Sequence, residues 1–195
     1  MEAKPPGSRG TRGVTTPRRV VVIGSESTGK TTLARRLAER HRTVWVREYA
    51  RAWLDAKGSP LDESDVEPIA RGQISAEDEA AWKARELVVL DTSILSTVVY
   101  ATHYYGACPD WIVREAHARR DGLYLLTDID VPWVAEPQRD RGSRRAEMHA
   151  LFVEALESRA LPYVLVRGEW DERWRIACAA VESSGEGRGV RGEEA

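Results

Sequence analysis

Five short apolar runs punctuate the chain, at Val20–Ile23, Thr43–Val46, Leu87–Leu90, Leu123–Leu126 and Tyr163–Val166. None alternates strictly between apolar and polar residues, so each predicts a strand covered on both faces, as in a parallel sheet. Between the runs apolar residues recur at helical spacing: Leu33, Ala34, Leu37 and Ala38, then Ile94, Leu95, Val98 and Val99, then Leu151, Phe152, Ala155 and Leu156. Each set makes one stripe down a helix, and Gly106 followed by Pro109 closes the second. Acidic stretches at 62–65 and 77–79 flank Gln73 and predict a helical insertion between the second and third strands. Most of that insertion reads as a solvated face, with Gln73 a candidate partner for a substrate amide or ribose. Strands alternating with helices predict an α/β fold, a five-stranded parallel sheet flanked by helices.

The two ends of the chain lack these patterns. Residues 1–18 are rich in Pro, Gly and Arg, and residues 182–195 are polar, so both read as disordered tails around one folded domain at 19–181. A chain of 195 residues is long enough to bury a proper core in a single domain. The net charge of −2 argues against a general nucleic-acid binder. No apolar run approaches the ~20 residues that span a bilayer, and no secretory signal opens the chain. Cys108 and Cys178 fit no metal spacing and read as reduced thiols, which points to a cytoplasmic protein. The histidines form no cluster and receive no role. Because Lys supplies few of the 29 basic residues, an Arg is given a role only where its position supplies a reason.

The first strand runs into Gly24, Ser25, Glu26, Ser27, Thr28, Gly29, Lys30, Thr31 and Thr32, the pattern G-x-x-x-x-G-K-[ST] followed by a helical stripe. Strand, glycine loop and helix in that order identify a phosphate-binding loop, the mark of the P-loop nucleoside triphosphate hydrolase fold. The glycines let successive N–H groups converge on phosphate oxygens, and the helix adds its positive end. Lys30 is placed to reach the β- and γ-phosphates of ATP, and the Thr31 hydroxyl to bind Mg²⁺.

Ligands of open parallel sheets bind at the carboxyl ends of the strands. The second strand ends at Arg47, Glu48 and Tyr49, the third at Asp91, and the fourth at Asp128, Asp130 and Trp133. Asp91 follows four apolar residues, as an acid that holds Mg²⁺ does, although it also suits the N-terminus of the next helix. Phosphoryl transfer needs an acceptor hydroxyl held in line and a group to take its proton. Glu48 and Asp91 are the two candidates. The reading prefers Glu48 for the acceptor and Asp91 for the metal, with the exchanged roles as the alternative. Arg139 and Arg144, in a dense basic loop opening a helix, are candidates for a lid over the transferring phosphoryl group; the bland reading is a helix start capped by Ser143. Tyr49, Trp53, Tyr104, Tyr105 and Trp133 are candidate faces for a flat heteroaromatic ligand, although ordinary packing is the stronger explanation of any one of them except Trp133, where the two stand equal.

Taken together, Gly24–Thr32, Arg47-Glu48-Tyr49-Ala50-Arg51, Leu90-Asp91-Thr92, Tyr104-Tyr105-Gly106 and Trp133-Val134 with Arg139 and Gly142 resemble the ribosylnicotinamide kinase domain of the NadR family, within the AAA family of P-loop NTPases. The likeness covers roughly residues 19–180. It implies a kinase-like core with an Arg lid that uses ATP and Mg²⁺ to phosphorylate the 5′-hydroxyl of nicotinamide riboside, giving nicotinamide mononucleotide. The expected partners are small-molecule substrates, with no nucleic acid and no membrane, and Asp130 and Trp133 with Glu48, Tyr49, Tyr104 and Tyr105 are the candidate acceptor-binding residues. The chain carries no His-x-Gly-His signature, so the expected chemistry is the kinase step alone. Two rivals remain open: the same transfer to another small alcohol such as a deoxynucleoside, and a regulatory ATPase that transfers nothing.

Overall fold

A computed structural model describes residues 16–120, 122–132 and 144–186. Every apolar run forms a strand: β1 (Arg18–Gly24), β2 (Trp45–Val46), β3 (Leu87–Asp91), β4 (Leu123–Thr127) and β5 (Tyr163–Val166). The sheet order is β2-β3-β1-β4-β5 and every pairing is parallel. The strand bearing the phosphate loop is therefore central, with β3 on one side and β4 on the other. The predicted helices appear as α1 (Lys30–His41), α4 (Ile94–Tyr105) and α6 (Arg145–Glu157). The insertion after β2 is helical, comprising α2 (Tyr49–Lys57), a 3-10 turn at Glu63–Asp65 and α3 (Val66–Lys83). Two further helices complete the described residues, α5 (Asp110–Ala118) and α7 (Trp170–Glu186).

Alternate residues of β1 face opposite layers, which explains why the run is apolar throughout. Val20 and Val22 pack with Leu33 and Leu37 of α1 and Ala177 and Val181 of α7. Val21 and Ile23 pack with Leu95 and Val99 of α4 and Phe152 and Leu156 of α6. Each buried Val or Leu contributes about 1.5–3 kcal/mol, so the strands are firmly set and their ends can carry unfavourable local geometry.

The body is slightly larger than its apolar pattern suggests. Arg18 already belongs to β1, and its Nη1 donates to the Val181 carbonyl (2.9 Å) and to Ser184 Oγ (2.7 Å). Helix α7 continues to Glu186, and Glu182 pairs with Arg40 at 2.8 Å. Polar residues past Val181 hold this helix turn through ion pairs and hydrogen bonds, which hydropathy alone does not register. β2, in contrast, is reduced to two residues.

Candidate active site

The loop between β1 and α1 is built to receive an anion. Gly29, the residue before α1, takes φ 81°, and no side chain caps the helix N-terminus, so its first N–H groups face the loop. Gly24 is required by close approach: a Cβ there would stand 2.6 Å from Thr127 Oγ1 on β4. Thr28 Oγ1 donates to the Ser25 carbonyl and shares a hydrogen bond with Thr127 Oγ1, both at 2.7 Å. Glu26 and Ser27 form the loop apex, Ser27 in the left-handed region at φ 53°. Lys30 Nζ reaches back across the loop to the Ser25 carbonyl at 2.7 Å. Thr31 and Thr32 are exposed on the first turn of α1.

An acid cleft opens on the β3 side of this loop. It has a volume of about 370 Å³ and is lined by Thr31, Glu48, Tyr49, Arg51, Asp55 and Asp91 among others, a size suited to a small organic ligand. Asp91 is buried, 2% exposed, and accepts a hydrogen bond from the Thr31 hydroxyl. Burial first, and the nearby Glu48 carboxylate second, push its pKa up to about 6 against the pull of Thr31, Lys30 and Arg51. Its Oδ1 is buried without a hydrogen-bond partner. The next residue, Thr92, takes φ 67°, a costly conformation for a β-branched side chain and one that recurs at functional sites. Among the described residues no three His, Cys, Asp or Glu side chains gather. A cation beside Asp91 and Thr31 would therefore keep phosphate and water ligands, as Mg²⁺ does, and the orphaned Oδ1 fits that ion.

On the β4–β5 side the loop is braced by an arginine that the chain pattern conceals. Arg173 of α7 is 1% exposed. It donates to the carbonyls of Gly168 (2.8 Å), Thr28 (3.2 Å) and Asp128 (3.1 Å), and it pairs with Asp130. Asp130 Oδ2 in turn accepts the Gly168 N–H at 2.6 Å. Trp170, at the start of α7, lays its ring so close to Gly29 that a Cβ there would meet it at 2.1 Å. Arg145 donates to the Val131 carbonyl at 3.0 Å, while its Nε and Nη2 are buried without partners. Burial and the neighbouring Arg173 charge hold its pKa below the ordinary arginine value.

The predicted residues thus divide between two sides of the loop. Thr31, Glu48, Tyr49 and Asp91 line one cleft, and Lys30 lies near enough to stabilise the Asp91 carboxylate. Asp130 is not in that cleft: β2 and β4 are three strand spacings apart, about 14 Å, and its carboxylate is engaged by Arg173 and Gly168. Tyr104 and Tyr105 do not line it either. Tyr104 packs beside Tyr100 and His103, and Tyr105 joins the cluster of Val66, Ile94 and Ile112. Arg144 is exposed and stands 3.8 Å from Glu147. Trp133, Val134, Arg139, Gly142 and Ser143 lie outside the described residues.

Glu77 and Arg173 escaped the sequence reading, and Gln73 was read only as a candidate ligand contact, because all three sit where a helix stripe should be apolar. Gln73 and Glu77 follow Val66, Ile69 and Ala70 on the buried side of α3, and neither is solvated: they are 3% and 0% exposed. Gln73 is committed to protein partners, Tyr49 N–H and Glu77. Arg173 shares its stripe with Ala177 and Val181. A polar residue at a core position of a helix is the signal that identifies all three.

A family model described as an AAA domain matches residues 19–173. The trifunctional NAD biosynthesis/regulator protein NadR of Escherichia coli (strain K12) is 32% identical over 164 residues, which cover 80% of this chain and 40% of that protein. The chain therefore spans less than half the length of this relative. A crystal structure of NadR protein in complex with NAD and AMP-PNP superposes with a TM-score of 0.76 at 26% identity, covering 92% of this chain and 52% of that one. A crystal structure of NadR protein in complex with NR gives 0.74 at 27% identity, covering 93% and 54%.

Proposed function

Because the chain belongs to the AAA domain family, with a P-loop beside an acid cleft, we propose that it is an ATP- and Mg²⁺-dependent phosphotransferase whose acceptor is the 5′-hydroxyl of nicotinamide riboside. The observation that carries this reading is the buried, unpartnered Asp91 Oδ1 next to Thr31, in the same cleft as Glu48. The complexes of similar NadR proteins with AMP-PNP and with NR support the choice of substrates.

In this mechanism the loop amides and the N-terminus of α1 hold the triphosphate, and Lys30 exchanges the Ser25 carbonyl for β- and γ-phosphate oxygens. Thr31 and Asp91 would hold Mg²⁺, which would supply positive charge to offset that of the phosphates. Glu48 orients the acceptor hydroxyl and takes its proton late in the transfer, while Arg139 and Arg144 close over the γ-phosphate. Tyr49 and Trp45 offer ring faces, and Glu48, Asp55 and Glu79 offer negative charge, to a cationic pyridinium ring. Holding both substrates in line is the main source of rate for this chemistry.

The test is acceptor-dependent ADP release across a panel of nicotinamide riboside, deoxynucleosides and no acceptor. Nicotinamide riboside should give the highest kcat/KM. Equal or better turnover with deoxynucleosides would transfer the reading to that acceptor class, and ATP binding without acceptor-dependent ADP release would make the protein a regulatory ATPase.

A further inference from the structure

β2 pairs over Trp45 and Val46 only, so the sheet ladder ends before Glu48. Helix α2 begins at the next residue, and Glu48 caps it with no side-chain hydrogen bond. The first N–H of that helix, on Tyr49, is instead taken by Gln73 Oε1 of α3 at 3.0 Å. The Gln73 amide is oriented in turn, since its Nε2 donates to Glu77 Oε1 at 3.1 Å. The same Glu77 oxygen accepts the N–H of Ile94 at 3.3 Å, where α4 starts three residues after Asp91. The other oxygen, Oε2, meets Arg19 of β1 at 3.1 Å. A second contact joins the same elements: the Tyr49 ring lies against Gly72, where a Cβ would stand 2.1 Å from it.

We propose that Gln73 and Glu77 are positioning residues for phosphoryl transfer, a buried amide–carboxylate brace that fixes the Glu48 end of β2 against the Asp91 end of β3. The inference rests on the roles proposed above for Glu48 and Asp91. Glu77 serves two purposes through its two oxygens. Oε2, facing Arg19, anchors α3 to the central strand, while Oε1 joins the two helix starts that follow the catalytic acids. Gln73, whose amide bonds the Tyr49 N–H and Glu77, takes part in the second task, which makes it the residue that separates positioning from anchoring. A carboxylate and an amide are buried here because both helix starts need an acceptor at a set separation; an apolar pair would leave both N–H groups unpaired.

The experiment compares full-length wild type with Gln73→Met, which keeps the length of the side chain and removes the acceptor for Tyr49 N–H. Acceptor-dependent kcat should fall about tenfold or more, because a displacement of the order of an ångström costs that much in an in-line reaction, while the KM for ATP is unchanged. Gln73→Asn, which keeps both the acceptor and the donor on a side chain one carbon shorter, should recover part of the loss. Gly72→Ala displaces Tyr49 from the other direction through a substitution that favours the helix, and it decides the matter if Gln73→Met does not fold. It should show the same fall in kcat at unchanged KM for ATP. Wild-type kcat in folded Gln73→Met or Gly72→Ala overturns the brace, as does a loss that tracks Tm and is not relieved by Gln73→Asn. Glu48→Gln is measured in parallel. If it leaves acceptor turnover intact the parent reading fails; if it abolishes turnover while Gln73→Met is wild type, the brace alone fails.

Discussion

Asp91 is where the competing demands on a single residue are sharpest. Its carboxyl ordinarily titrates at 3.8 and is pushed up to about 6, so between those values the folded protein holds a proton that the unfolded chain has lost. Stability therefore falls as pH rises through this window, and above it the fold carries a buried charge at a cost of about 3 kcal/mol. Asp91→Asn should accordingly raise Tm at pH 7 in the absence of ligand while abolishing Mg²⁺-dependent turnover; a lowered Tm would contradict the assignment of a strained, ligand-free charge. In the wild type the same sign predicts that kcat/KM for Mg²⁺–ATP, which reports the free enzyme, declines as pH drops through about 6, where the carboxylate that would take the metal becomes neutral. Lys30→Ala separates chemistry from fold in another way. It removes the charge nearest the transferring group, so turnover should drop by about 100-fold or more with Tm unchanged, as read by steady-state kinetics and thermal melting. Lys30 and Thr31 were legible in the sequence from the glycine-loop pattern, and Glu48 and Asp91 because each closely follows an apolar run. Glu77 was not, because a local cluster of acids reads as solvated until the helix register shows which of them faces inward.

At the scale of elements, the phosphate loop is held between two unlike supports. On one side α3 spans from α2 to α4 and sets the acid cleft. On the other, Arg173 of α7 ties the loop to the ends of β4 and β5 by way of Thr28, Asp128, Asp130 and Gly168. Removing its guanidinium takes that donor from the carbonyls of Gly168, Thr28 and Asp128, while the exposed Asp130 keeps the Gly168 N–H, so Arg173→Met should destabilise the fold by about 1–3 kcal/mol and raise the KM for ATP more than that for the acceptor. Chemical denaturation and kinetics together check this; an unchanged KM for ATP would reduce Arg173 to a packing role. Strands and their parallel arrangement followed from hydrophobic spacing, and the helical insertion from the acidic stretches around Gln73. The separation of Asp130 from Glu48 did not, because spacing along the chain says which residues end strands but not in which order the strands lie side by side. That order puts β3 and β1 between them, and it divides an apparent single cluster into an acceptor side and a brace. Arg173 was hidden for a different reason: in a chain whose basic residues are mostly Arg, one more Arg carries no signal unless its stripe is examined.

In the described residues the two faces of the sheet are closed by helices, and Arg18 of β1 grips the last turns of α7. That arrangement leaves the carboxyl edge of the sheet as the place where ligands act on stability. A non-hydrolysable ATP analogue with Mg²⁺ at 100 times its Kd should stabilise the fold by about 2.7 kcal/mol, a rise in Tm of about 5–10 °C, and this rise should disappear in Lys30→Ala. The account stands most directly on transfer of phosphate from one side of the loop into the acid cleft. Single-turnover reaction of γ-labelled ATP with nicotinamide riboside measures that transfer. The label should appear on the 5′-oxygen of nicotinamide mononucleotide in a burst that Glu48→Gln slows by about 100-fold or more. Label released only as inorganic phosphate, at a rate indifferent to nicotinamide riboside, would contradict it.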